Sequence, residues 1–401
     1  MPVADDAAAI APAITQLRHA IHRAPEIGLD LPGTQRKVLD FLAGLPLEIT
    51  TGSALSSVTA VLRGAGADHG GPVVLLRGDM DALPVTELTG LDYASQTEGA
   101  MHACGHDLHT AMLAGAARLL AARQHELPGT VVFMFQPGEE GLAGARHMIE
   151  EGVLDAAGQR PDAAYALHVF SADVPTGVVS TRPGPMLASS QVLEVTVHGH
   201  GGHASIPYRS ADPIPAACEM VTALQTMVTR RFDIFDPVVI TVGCFHAGTA
   251  SNIIPDQASF EATVRTFSPA AWDRVRESAL AMVTSIASAH GLTVTAGFRD
   301  GYPVTVNDEA EVRFAAGVAT GLLGEAGCVI QANPLTGAED FSFVLEQVPG
   351  AFLSLGACPP GTDPETAPTN HAADAVFDDS VLATGTALYA ELALQRLAAG
   401  G

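Results

Sequence analysis

The chain has 401 residues, enough for two domains of ordinary size. Forty-four acidic residues against twenty basic ones give a formal charge of −24, which makes nucleic acid and anionic membrane poor partners. With 47% hydrophobic and 16% charged residues the chain can bury a sizeable core, and wholesale disorder is excluded.

Lys37 is the only lysine and sits in a plain helical context, with no glycine-rich loop beside it. Schiff-base, pyridoxal and P-loop chemistry are therefore discarded. The opening stretch MPVADDAAAIAPAITQL has two aspartates and no basic segment, unlike a secretory signal. No apolar run reaches the roughly 18 residues of a membrane span. Five scattered cysteines (Cys104, Cys218, Cys244, Cys328, Cys358) argue against a disulfide framework and for a reducing compartment, so a cytoplasmic protein is expected.

In chain order, apolar residues at helical spacing predict helices over 11–22 and 33–43. The runs 72–77 (PVVLLR), 130–135 (TVVFMF) and 163–169 (AAYALHV) predict strands buried on both faces, separated by a helix over 107–123. Each run ends in acidic or histidine residues, where ligands bind in a parallel sheet. The texture then changes. Residues 189–198 alternate as a half-exposed strand, followed by helix 213–230, strands 238–244 and 258–267, helix 269–290 and strand 292–298. This β-α-β-β-α-β order is the split βαβ, ferredoxin-like pattern. The expected fold is α/β. A catalytic domain with a mostly parallel central sheet flanked by helices (1–184 and 300–401) is interrupted by a smaller α+β lid and dimerisation domain (185–299).

The segment Met101-His102-Ala103-Cys104-Gly105-His106-Asp107-Leu108-His109 holds one thiol and three imidazoles, a density typical of metal sites, although a polar helix start with a buried cysteine reads the same way. Gln136-Pro137-Gly138-Glu139-Glu140-Gly141 follows a buried strand, so one carboxylate is free to bind metal while its neighbour handles a proton. His168 lies inside an apolar run and His371 in a loop, and each alone is unremarkable for a core or surface histidine. Together, Cys104, His106, Glu140, His168 and His371 form a donor set suited to zinc, manganese or cobalt and not to magnesium or calcium. Five ligands exceed the three of a mononuclear catalytic zinc, and a two-metal site sharing one ligand accounts for the count.

These segments are similar to those of the metal-dependent amidohydrolases of the aminoacylase and carboxypeptidase family. The resemblance runs in order through DMDALPV (79–85), MHACGHDLHTAML (101–113), QPGEEGLAGAR (136–146), ALHV (166–169), GHGGHAS (199–205), TASNIIPD (249–256) and TGAEDFS (336–342). It is strongest to the branch of hippurate hydrolases, N-acyl-amino-acid amidohydrolases and auxin-conjugate hydrolases. It implies two divalent metal ions per subunit, with Cys104 bridging and His106, Glu140, His168 and His371 as the other ligands. It implies Glu139 as general base and Asp81 as the carboxylate that orients a ligand. His203 matches a lid histidine that reaches the partner's active site in dimers, and Asn252 and Arg265 match positions that hold the substrate carboxylate. The chain departs from the family after His371, where Ala372-Ala373-Asp374 replaces the usual Asn or Ser and Pro.

The implied activity is hydrolysis of a small N-acyl amino acid of acetyl, benzoyl or aryl-acyl type, by a homodimer joined through the inserted domain. A metallo-carboxypeptidase or dipeptidase is the rival within the class. An inactive metal-binding protein is the rival outside it, and Glu139 beside Glu140 counts against that reading, because a metal store needs no extra base.

Overall fold

The computed structural model describes residues 2–65 and 70–400. They form two compact units. One comprises Met1–Met186, Val306–Asn333 and Asp340–Gly401, and the other Leu187–Thr305 with Pro334–Glu339.

The first unit is built on an eight-stranded sheet. Its order is Glu48–Thr51, Val58–Arg63, Thr130–Gln136, Val73–Asp79, Ala163–Phe170, Gly350–Gly356, Val179–Thr181, Cys328–Ile330. The four middle strands run parallel, with Asp79 beside Gln136 and His168 beside Ser354. The first two strands join antiparallel at one edge. Val179–Thr181 pairs antiparallel with Gly350–Gly356, and Cys328–Ile330 runs parallel to Val179–Thr181. The sheet is thus mixed at its flanks and parallel at its centre. Every residue of Val73–Asp79, Thr130–Gln136 and Gly350–Gly356 is buried, because helices cover both faces.

Helix His106–Ala122 is apolar nearly all round, and residues 106–117 are all buried. Such a helix belongs in a core. Helices Val3–His22 and Val381–Ala398 pack against it, and Ile14, Leu17, Met112, Leu388 and Tyr389 share one cluster. The first helix starts eight residues before the expected Ala11, and Pro12 lies inside it. Burial of Val3 and Ala7 as well as Ile14 shows why: packing of the whole helix outweighs the hydrogen bond that Pro12 cannot donate.

In the second unit the four strands run in the order Val239–Ala247, Gln257–Arg265, Ser190–His198, Thr293–Tyr302, all antiparallel. Alternate residues Leu193, Val195, Val197 and Ala258, Phe260, Ala262, Val264 face helices Pro213–Arg231 and Pro269–Ala289 through Met220, Leu224, Val275 and Val283. Asp212 and Ser268 cap these helices, accepting from Ile214 N and Ala271 N at 3.0 Å each. The expected boundary at 299 falls inside the last strand, and six residues from much later in the chain, Pro334–Glu339, join this unit. Among the described residues no helix is long and apolar enough to cross a membrane.

Leu353 is fully buried in the central sheet beside Leu167, one residue before His168. Leu353→Ala is expected to lower stability by about 2–5 kcal/mol, read as a fall in the denaturation midpoint. An unchanged midpoint would contradict this placement.

Candidate metal centre

The polar residues gather at the carboxyl ends of the parallel strands, as open α/β sheets require of their ligand sites. Strand Val73–Asp79 leads into Asp81, strand Thr130–Gln136 into Glu139 and Glu140, and strand Ala163–Phe170 carries His168. Cys104 and His106 enter from the loop that starts helix His106–Ala122. Gly105 between them has φ +82°, and a Cβ there would lie 2.3 Å from Val169 Cγ2, so only glycine fits. Gly138, ahead of the two glutamates, has φ +73°, and its Cβ would meet Leu29 Cδ2 at 2.3 Å. His371 adopts φ +74° without being glycine, and its N–H donates to Ala103 O at 2.8 Å. A strained non-glycine backbone of this kind marks a residue that its surroundings hold in place.

Cys104 Sγ lies 3.4 Å from His168 Nε2 and 3.3 Å from His371 Nε2. His371 Nε2 is 3.2 Å from Glu140 Oε1, and His106 Nε2 is 4.0 Å from the same oxygen. Two groups of potential ligands result, Cys104–His106–His168 and Cys104–Glu140–His371, each with its donor atoms within 4.8 Å of one another. They share Cys104. His106, Glu139 and Glu140 form a third such group across the same space. Asp81 braces the centre: its two oxygens accept from Glu139 N and Glu140 N at 3.0 Å each, and Oδ1 lies 3.4 Å from His106 Nδ1.

This arrangement fits a divalent transition metal. Neither ring nitrogen of the fully buried His106 makes a hydrogen bond among the described residues, an expensive state that a bound cation relieves. His168 donates Nδ1–H to Val169 O at 2.9 Å, which leaves its Nε2 lone pair toward Cys104. Burial, with His109 nearby, holds the His168 pKa well below the usual imidazole value, in the neutral form that ligation needs. Burial also pulls His106 downward, but Asp79 and Cys104 outweigh it and raise it well above that value. Hydrogen bonds to Cys104 and Glu140 push His371 up to about 10. Burial raises Glu140, and His371 and His106 more than reverse this.

A further layer of buried charge was not legible as such in the sequence. Arg77, itself buried, donates to Asp79 Oδ2 at 2.6 Å, Gln136 Oε1 at 2.8 Å and Asp340 Oδ1 at 2.9 Å. Asp79 Oδ1 pairs with His109 Nδ1 at 2.6 Å, and His109 Nε2 accepts Val169 N–H at 2.7 Å. Burial would raise the Asp79 pKa, but Arg77, His106 and His109 hold it well below the usual carboxylate range. Asp79, His106 and His109 also lie close enough to hold a metal, yet Asp79 is already engaged by Arg77 and His109. On the other side of the loop, Asp107 Oδ2 accepts from Arg18 Nε at 2.7 Å and His22 Nδ1 at 2.8 Å. The signals in the sequence were the charged residues Arg77 and Asp79 at the end of an otherwise apolar run, and Asp107 and His109 within the histidine cluster.

The second unit carries the other expected site residues. His203 is exposed on the short strand Gly202–His203, paired with Ile253, and Asn252 O accepts Ala204 N–H at 3.1 Å, so His203 and Asn252 are neighbours. Ser205 N–H donates to His203 Nδ1 at 3.2 Å, which places the proton of the neutral ring on Nε2. Arg265 ends strand Gln257–Arg265, half-buried, with Nη1 3.4 Å from Ser189 O. That strand starts at Gln257, beside His198 and five residues after Asn252, so about 25 Å of extended chain separates Arg265 from its start. The structure brings His203 and Asn252 together and sets Arg265 apart.

Residues 75–395 match the Peptidase family M20/M25/M40, and the chain belongs to that family. It is 35% identical over 385 residues to thermostable carboxypeptidase 2 of Saccharolobus solfataricus, with 95% of each chain covered. It is 36% identical over 382 residues to N-acetylcysteine deacetylase of Bacillus subtilis, covering 95% of this chain and 96% of the relative. The crystal structure of a dinuclear metal-binding peptidase of the M20 family from Bacillus subtilis matches with a TM-score of 0.83 at 32% identity, over 97% of this chain and 99% of that one.

Arg77→Met removes one side of the buried charge cluster and leaves Asp79 and Asp340 without their shared cation. A loss of about 3–5 kcal/mol in stability is expected, the usual consequence of breaking a buried pair from one side. A melting temperature within a degree of wild type would show that Arg77 does not carry that role.

Proposed function

We propose that this protein hydrolyses the amide bond of N-acyl amino acids, releasing a carboxylic acid and a free amino acid. Two divalent metal ions per subunit would be held by Cys104, His106, Glu140, His168 and His371. The observation that carries the reading is the pair of ligand groups sharing Cys104, with Glu139 left beside them as a buried carboxylate. The deacetylase relative and the dinuclear M20 structure support it. Sulfur, imidazole and carboxylate donors together suit zinc, manganese or cobalt. Such ions, when bound, supply Lewis acidity that polarises the acyl carbonyl and acidifies the attacking water.

The chain's own groups do the rest. Glu139, its backbone fixed by Asp81, takes the proton of the attacking water and delivers it to the leaving amine. His203 donates Nε2–H to the oxyanion of the tetrahedral intermediate. Asn252 and Arg265 hold the substrate carboxylate. A single acyl amino acid is far shorter than the strand that separates these two residues, so they serve one substrate only if they come from different subunits. That supports a homodimer, formed by pairing an exposed edge of the small sheet across a two-fold axis. The edge strand Val239–Ala247, exposed over most of its length, is the natural choice. All five cysteines are free, which supports a reducing, cytoplasmic setting.

A second reading, a metallo-carboxypeptidase or dipeptidase, is favoured by the carboxypeptidase relative. A panel of acetyl, benzoyl and indoleacetyl amino acids against dipeptides, with zinc, manganese and cobalt, decides between them. Higher kcat/KM on the dipeptides would overturn the amidohydrolase reading.

Glu139→Gln keeps shape and ligands. Activity is expected to fall at least about a hundredfold with metal content unchanged, and retained turnover at full loading would remove Glu139 as the base. Mixed dimers test the shared site. Inactive His203→Ala or Asn252→Ala mixed with inactive Glu139→Gln should recover part of the activity, whereas Arg265→Ala mixed with Glu139→Gln should not. Recovery with Arg265→Ala, or none with His203→Ala despite confirmed subunit exchange, contradicts the division. The protons on His371 and His106 must leave before metal binds, so apparent metal affinity is expected to rise with pH between about 6 and 9. Equal affinity at both ends would count against these ligands.

A further inference from the structure

We propose that Asn370 is a positioning residue that locks three ligand-bearing segments together and donates a hydrogen bond to the Cys104 sulfur, so tuning the shared ligand. The inference rests on the reading of Cys104 as that ligand. The Asn370 carboxamide reaches each segment. Nδ2 donates to Val169 O at 3.0 Å, next to His168, and to Cys104 O at 3.3 Å, and it lies 3.9 Å from Cys104 Sγ. Oδ1 accepts Ser171 N–H at 3.0 Å. The Ser171 hydroxyl lies 3.1 Å from Oδ1 and 2.8 Å from Pro368 O, to which it donates.

This pattern fixes the amide orientation, because a flipped group would set its oxygen against two carbonyls and its nitrogen against an N–H. One hydrogen of the NH2 goes to Val169 O. The other is shared between Cys104 O and Sγ. The next residue in the chain, His371, donates its N–H to Ala103 O, so residues 370 and 371 bond the consecutive carbonyls of 104 and 103. These bonds hold the left-handed backbone of His371 on its N-terminal side, and Asn370 provides the only side-chain contact to sulfur that is not itself a candidate ligand among those described.

Two consequences follow from the chemistry. Losing the amide frees the His371 loop, which weakens the Cys104–Glu140–His371 group more than the Cys104–His106–His168 group. Losing the N–H···S contact makes the thiolate a stronger donor. Replacement by aspartate, of the same shape, sets a carboxylate against Val169 O, Cys104 O and the thiolate, and is the harsher change.

The test is the cobalt-substituted enzyme with Asn370→Leu and Asn370→Asp. Two readings are taken, cobalt content by titration and the energy of the sulfur-to-cobalt charge-transfer band. The expected result is a loss of affinity for one of the two ions by about 10–100-fold, the usual effect of removing a group that braces a ligand. A shift of the charge-transfer band to longer wavelength is expected, larger in Asn370→Asp. Both variants are compared after loading at saturating cobalt, with circular dichroism to show that each is folded. If one fails to fold, the other decides alone. Should both fail, the same band is read in the milder Asn370→Ser. A charge-transfer band at wild-type energy and two ions bound at wild-type affinity would overturn the proposal. A wild-type enzyme that binds cobalt and shows no sulfur charge-transfer band overturns instead the assignment of Cys104 as ligand.

Discussion

The convergence of like and unlike charge on Cys104 Sγ is the constraint on which the catalytic unit depends. Two imidazoles approach that sulfur to 3.4 and 3.3 Å from elements 64 and 267 residues away in the chain, respectively. Around it, the Asp81 carboxylate, just after one strand end, accepts from the backbone amides of Glu139 and Glu140, just after the next. Carboxylates and thiol brought so close repel one another as anions, and only protons or cations at the same point make the arrangement stable. Asp79 and Cys104 raise the His106 pKa, and Cys104 and Glu140 raise that of His371, which favours cationic rings at this point. In the proposed working state, metal ions take their place.

The fold supplies that convergence through one topological fact. Adjacent parallel strands end on the same side of the sheet, so residues leaving Val73–Asp79, Thr130–Gln136 and Ala163–Phe170 necessarily crowd together. Buried charge then fixes the candidate ligands more finely. Arg77 locks Asp79, Asp79 sets the His109 tautomer, and His109 accepts the amide of Val169, whose carbonyl orients His168. A chain of this kind tolerates no missing partner, since each member is desolvated and stays stable only through the next.

Three of the four central strands and the helix over His106–Ala122 were legible because burial on both faces leaves uninterrupted apolar runs, whereas Gly350–Gly356 and helices Glu309–Leu323 and Val381–Ala398 were not read, and the candidate ligand residues were legible because cysteine, histidine and glutamate are out of place at the ends of such runs. The flanking strands Glu48–Thr51, Val179–Thr181 and Cys328–Ile330 were not, since each has only three or four residues and little pattern to read. Nor were the pairs Arg18–Asp107 and Arg77–Asp340, 89 and 263 residues apart, because nothing local marks a contact made only by the fold. Asn252 and Arg265 are thirteen positions apart in sequence, and the extended strand Gln257–Arg265 lies between them. Family resemblance named the residues.

Anomalous diffraction from crystals grown with manganese, with data collected on both sides of the metal's absorption edge, addresses the central claim most directly. The account predicts two peaks per subunit, about 3.5–4 Å apart, on either side of Cys104 Sγ, one beside His106 and His168 and the other beside Glu140 and His371. A single peak, or peaks remote from Cys104, would contradict it.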